Sequence, residues 1–97
     1  MILVHDIFIC KPGHASKLAR LLKEIMSSQN ETVQILTDVT GQFNKVVMAR
    51  EYETLAAFEQ SFEKYMQDSD EMKELRQKIS GYQEMYLTGA REIFRVW

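Results

Sequence analysis

Cysteine is almost absent from these 97 residues: Cys10 stands alone. One cysteine excludes an intrachain disulfide, and no Cys or His around it has the spacing of a metal site. A reducing, cytoplasmic setting is the expectation. Proline occurs once and glycine four times, too few for a linker or a low-complexity tract, and no internal repeat is visible. No sign of charge dominates: 12 Lys and Arg face 14 Asp and Glu, for a net charge of −2. Without a basic stripe to neutralise phosphates, no nucleic-acid partner is expected. No apolar run approaches the roughly 20 residues of a membrane-spanning helix, so no membrane partner is expected either. The run Met1-Ile2-Leu3-Val4 breaks at once on His5 and Asp6, unlike a signal peptide.

What the chain has is apolar surface. Hydrophobic residues make up 45% of it, among them five Phe, four Tyr and one Trp. The length suits one domain, taken as residues 1–97. A domain this small buries roughly 60 to 70% of the surface its unfolded chain exposes. An oligomeric interface is a natural outlet for the remainder.

Ile2 to Ile9 is rich in β-branched and aromatic residues and reads as a strand. Lys11-Pro12-Gly13 ends it, since proline lacks a donor and glycine tolerates a turn. From His14 to Ser28 a helix is predicted, with Leu18, Leu21, Leu22 and Ile25 on one face. Thr32 to Thr40 and Phe43 to Glu51 read as a hairpin about Gly41-Gln42. Thr54 then caps a second helix whose stripe is Leu55, Phe58, Phe62, Tyr65 and Met66. Asp68-Ser69-Asp70 breaks it, and Asp68 with Glu71 has capping-box spacing. A third helix continues the stripe through Met72, Leu75, Ile79, Tyr82 and Tyr86, with Gly81 as an interruption and Thr88-Gly89 as its stop. Ala90 to Trp97 alternates as a closing strand. The order β-α-β-β-α(α)-β predicts an α+β, ferredoxin-like fold: one four-stranded antiparallel sheet with the helices on one face.

Strand parity sorts the sheet into two faces. A turn at Gly41-Gln42 puts Val39 beside Asn44, Thr37 beside Val46, Ile35 beside Met48 and Val33 beside Arg50, and this apolar set is assigned to the helices. Leu3, His5, Ile7 and Ile9, with Phe94 and Val96, are assigned to the same side as the more apolar sets of the outer segments. The uncovered face then holds Val4, Asp6, Phe8, Arg91, Ile93 and Arg95, with Asp6 in reach of Arg91 or Arg95.

Polar groups converging between sheet and helices define the candidate site. His5, Arg50 and Tyr52 are the catalytic candidates, and Asn44, Tyr82 and Tyr86 the ligand-binding ones. An imidazole titrates near neutral pH and serves as a base; the plain alternative for His5 is a core histidine bonded to a carbonyl. The Arg50 fork suits an oxygen-rich ligand, or a neighbouring carboxylate such as Glu53. Tyr52 donates to a substrate oxygen or closes the core at a strand end. His14 reads as solvated, the six Met as core filler, and Cys10 has no partner that makes it a nucleophile. No metal site and no cofactor is expected.

Lys11-Pro12-Gly13 after the first strand, Arg50-Glu51-Tyr52-Glu53-Thr54-Leu55 running from strand into helix, and the closing Ala90-Arg91-Glu92-Ile93-Phe94-Arg95-Val96 together resemble the dimeric α+β barrel superfamily. The nearest branch is the small NIPSNAP-like proteins, with antibiotic-biosynthesis-monooxygenase-like domains as cousins. The resemblance implies a homodimer whose uncovered sheet faces meet, and, in the cousins, a cleft for an aromatic substrate or a haem. Tyr52 falls where those enzymes often carry a tryptophan, and Asn44 near an asparagine they use. The histidine that several relatives place in the second helix is missing, with Gln60 and Ser61 in that stretch, which argues against both haem ligation and oxygenase chemistry. Two functions follow as expectations. One is a small-molecule-binding homodimer, in its enzymatic form a cofactor-independent monooxygenase or isomerase acting on an aromatic or quinone-like compound. The other is a non-catalytic ligand-sensing or protein-interaction module.

Overall fold

The computed structural model describes residues 1–26, 33–66, 70–78 and 80–97. Its elements are β1 (Ile2–Cys10), α1 (Ala15–Met26), β2 (Val33–Thr37), β3 (Lys45–Tyr52), α2 (Leu55–Met66), α3 (Asp70–Lys78), a 3₁₀ turn at Tyr82–Glu84 and β4 (Tyr86–Arg95). The four strands form one antiparallel sheet in the order β2-β3-β1-β4, the ferredoxin-like α+β arrangement. The hairpin register is the expected one: Val33 opposes Arg50, Ile35 opposes Met48 and Thr37 opposes Val46.

The core lies where α1 crosses the sheet. Leu18 and Leu22, four residues apart on the helix, pack with Cys10, Val46 and Met48, and Val33, Ile35 and Phe8 border them. Leu18, Val4 and Val46 are fully buried. Thr54 caps α2 as expected: its Oγ1 accepts from the Ala57 amide at 3.1 Å.

Three expectations are corrected. The first is the parity of the outer segments. Val4, Asp6 and Cys10 are the buried residues of β1, and Val4 opposes Arg50. The even residues of β1 therefore lie under the helices, and Leu3, His5, Ile7 and Ile9 face the open side. β4 follows: Ile93 opposes Val4 and Arg91 opposes Asp6, so Arg91, Ile93 and Arg95 share the helix side while Phe94 is on the open one. Apolar content misled here because both faces of β1 are apolar.

The second correction concerns the end of the third helix. It stops at Lys78, Gly81 takes the left-handed conformation at φ 91°, and Tyr82 enters a 3₁₀ turn. Tyr86 is the first residue of β4, so Tyr82 and Tyr86 are not helical and Thr88-Gly89 is strand, not helix stop. A slip in pairing, with Ile9 opposite Thr88 but Cys10 opposite Tyr86, leaves Leu87 as an extra residue. That bulge puts both Tyr86 and Gly89 on the helix side. A Cβ on Gly89 would meet the Tyr86 ring at 3.6 Å and the Phe8 ring at 3.8 Å, so its absence makes room for aromatic packing.

The third correction is to the hairpin, whose strands are shorter than expected. Beyond Thr37, Asp38 closes the loop by accepting the Lys45 amide at 3.0 Å. The predicted Val39–Asn44 pair does not form; Asn44 sits in the left-handed region at φ 62°. Ser28, Thr32, the break at Asp68-Ser69 and Ile79 lie outside the described residues, as do the side chains of Tyr65, Met66, Glu71, Met72 and Leu75.

Candidate ligand site

Asp6 sits on β1, the strand between β3 and β4, and its side chain is only 8% exposed. A carboxylate so far from water needs cations, and it has two. The Arg50 Nη2 donates to Asp6 Oδ2 at 2.7 Å from β3, and Arg91 Nε donates to Oδ1 at 2.5 Å from β4. Register explains the convergence: Arg91 is directly opposite Asp6, and Arg50 is one diagonal step away, opposite Val4.

From Arg50, two residues along β3 on the same face, comes Tyr52. Its hydroxyl accepts from Arg50 Nη1 at 3.3 Å and donates to Ser61 Oγ at 3.4 Å. The chain then turns into α2, where Phe58, Ser61 and Phe62 share one face by the i, i+3, i+4 rule. Phe58 stands edge-on to Tyr52 with centroids 5.4 Å apart. Both guanidinium carbons approach its ring, Arg50 at 5.5 Å and Arg91 at 5.3 Å, and Arg91 also lies 5.6 Å from the Phe62 centroid. Cation–π contact of this kind stabilises a partly desolvated arginine. Arg50 is 12% exposed and Arg91 43%. The Arg50 Nε is buried with no hydrogen-bond partner.

Chemically, two guanidiniums share one carboxylate, so the cluster keeps one positive charge in excess beneath aromatic rings. It is a set of donors with an aromatic roof, able to bind and polarise an oxygen atom. Among the described residues no group of three or more His, Cys, Asp or Glu is placed to hold a metal ion.

Of the predicted site residues, the structure brings Arg50 and Tyr52 together. The Arg50 counter-ion is Asp6, not Glu53. His5 is on the opposite face of the sheet, edge-on to Phe94 with centroids 5.3 Å apart, so its placement beside Arg50 is corrected. Tyr82 and Tyr86 stack on each other (5.7 Å) and against Phe8. The backbone of Tyr86 pairs with Cys10 at the far end of β1, four residues from Asp6 and about 13 Å along a strand, while its ring reaches back to Phe8. There burial, with the charge and hydrogen bond of Tyr82, raises the Tyr86 phenol above its usual 10. Asn44 lies at that end too, its carbonyl accepting the Cys10 amide at 2.8 Å. The single expected pocket is therefore two clusters, one around Arg50 and one around Tyr86.

Asp6, Arg91, Phe58 and Phe62 were not among the expected site residues. Of the two expected partners of Asp6, Arg91 and Arg95, the structure pairs it with Arg91, and on the helix side rather than the uncovered face. The hairpin register already fixed Arg50 under the helices, and an arginine there needs an anion; that requirement was the available signal for Asp6.

The architecture is the split β-α-β class of α+β fold. No protein-family profile matches the sequence, and no curated protein does. Solved structures do match in fold. An uncharacterised NIPSNAP domain protein from Burkholderia xenovorans superposes with TM-score 0.79 at 12% identity, over 100% of this chain and 95% of that one. A NIPSNAP family protein from Agrobacterium tumefaciens gives 0.74 at 13%, over 97% and 90%. An antibiotic biosynthesis monooxygenase gives 0.66 at 14%, over 100% and 99%. The chain thus has the fold shared by NIPSNAP and antibiotic-biosynthesis-monooxygenase-like proteins. A haem does not fit the residues present. On α2, Gln60 is exposed and Ser61 is engaged with Tyr52, and neither side chain is an iron ligand.

Proposed function

We propose that the chain works as a homodimer that binds a small aromatic, quinone-like compound between sheet and helices, around Arg50. The observation that carries this reading is the Arg50–Asp6–Arg91 cluster: an excess cation held under Phe58 and Phe62, with Tyr52 beside it. Aromatic walls supply contact area and the guanidinium donors orient an oxygen. Self-association is supported by the open face of the sheet. Leu3 neighbours Phe94, Ile7 neighbours Val47, and Leu36 neighbours Val47 from the other side, giving an apolar surface that no helix of the described chain covers. An apolar sheet face of this extent suits a second sheet better than water.

Binding without turnover is the form the geometry favours over oxygenase or isomerase chemistry. Among the described residues bonded to or stacked on Arg50 and Arg91, the only carboxylate or imidazole is Asp6, and each of its oxygens already accepts from a guanidinium. His5, the expected base, is across the sheet.

Native mass spectrometry of protein purified from cells, followed by NMR titration with 1,4-naphthoquinone, tests the reading. A dimer whose Arg50 and Phe58 resonances move, with binding lost in Arg50→Ala, is expected. A protein blind to aromatic compounds rejects the site, and quinol turnover abolished by Arg50→Ala restores the enzymatic form.

A further inference from the structure

We propose that the cleft selects an aromatic carboxylate, its ring against Phe62 and its carboxylate on the end of the Arg91 fork. The proposal rests on the binding proposed above between sheet and helices around Arg50, here called the cleft, and names the ligand class.

Charge and exposure lead to it. Two guanidiniums face one carboxylate, and they are not equally placed. Asp6 and Arg50 are nearly out of water, at 8% and 12% side-chain exposure, whereas Arg91 is 43% exposed. The unmatched positive charge therefore sits outward, on Arg91. Its bond to Asp6 runs through Nε. The two Nη groups at the end of the fork remain, and their parallel N–H bonds match a carboxylate.

The aromatic half of the ligand is set by the neighbour. Phe62 is 45% exposed and Arg91 lies over its ring at 5.6 Å, so a half-open ring adjoins a half-open cation. Along β4 the same face continues through Ile93, 44% exposed, to Arg95. The strip reads cation, apolar, cation. A neutral quinone can lie on the rings but supplies no anion for the positive charge that the cluster holds in excess of Asp6. An aromatic carboxylate supplies both the ring and the counter-charge.

Calorimetric titration of the full chain with 1-naphthoate, its uncharged isostere 1-naphthamide and 1,4-naphthoquinone tests the inference. Naphthoate is expected to bind about tenfold or more tightly than naphthamide, the usual size of a charge-assisted contact, and to weaken with added salt. Arg91→Gln should abolish that preference while naphthoquinone binding persists, which also shows that the variant is folded. Arg91→Lys, which keeps the charge and loses the fork, should retain only part of the preference. Naphthamide or naphthoquinone binding as tightly as naphthoate overturns the inference and leaves the cleft standing. If none of the three binds, the inference and the cleft fall together.

Discussion

Asp6→Asn removes a charge while nearly preserving shape, and its cost follows from burial. The Asp6 and Arg50 side chains are 8% and 12% exposed and 2.7 Å apart. Breaking a buried ion pair from one side costs about 3–5 kcal/mol, because the other charge stays desolvated. The contact with Arg91 adds little, since that side chain is 43% exposed and water replaces the lost partner. Asparagine keeps one acceptor oxygen but turns an NH₂ toward one of two guanidiniums, donor against donor. A loss of about 3 kcal/mol is expected, which in a domain of this length lowers Tm by roughly 12–24 °C. Thermal unfolding followed by circular dichroism reads it, at matched protein concentrations because the proposed dimer would make Tm concentration-dependent. Adding Arg50→Met removes the stranded charge, and the double variant should recover most of the loss. An Asp6→Asn protein within about 1 kcal/mol of the parent, or a double variant as unstable as the single one, refutes the buried-pair argument.

Three further outcomes are expected. Burial raises the Cys10 thiol above its usual 9.0, so it should react with a thiol reagent at pH 7 only slowly, and rapidly once urea unfolds the chain; fast labelling of the folded protein contradicts its place in the core. The raised Tyr86 phenol holds its proton longer in the folded state than in the unfolded one. The stability this contributes is intact below pH 10 and falls as pH rises through the folded value; urea unfolding between pH 9 and 11 should show a smaller decline in Tyr86→Phe than in the parent. Leu18→Ala opens a cavity at a fully buried site and should cost about 2–5 kcal/mol in urea unfolding.

The fold was legible in the sequence because its strongest signals are local. Leu18, Leu22 and Ile25 mark α1 by spacing, Thr54 marks the start of α2, and the apolar alternation of Val33, Ile35, Val46 and Met48 fixes the hairpin register. β1 was not legible in the same way. Val4, Phe8 and Cys10 on one face compete with Leu3, Ile7 and Ile9 on the other, and a strand apolar on both faces has no parity to read. β4 inverts on the same ground, Phe94 and Val96 outweighing Ile93, and the inversion of β1 puts His5 with the helix-side groups and Asp6 on the uncovered face. The Tyr82–Tyr86 stretch failed for another reason. Its tyrosines continue the helical spacing, yet Gly81 adopts a left-handed conformation that stops a helix, and a bulge at Leu87 then resets the strand. Local periodicity does not report such a backbone reversal. The ion cluster depends on three strands meeting, a long-range fact that only the pairing of β1 with both β3 and β4 supplies.

The proposed division of the sheet into a ligand side under α2 and a bare apolar side for a second copy is tested most directly by sedimentation equilibrium at micromolar concentration, on the parent chain and on Ile7→Lys. The parent is expected at twice the 11.4 kDa chain mass. Ile7→Lys, which sets a charge in the middle of the open face, is expected at the single-chain mass with its helical signal retained. A parent chain that sediments as a monomer, or an Ile7→Lys chain that still sediments as a dimer, contradicts that division.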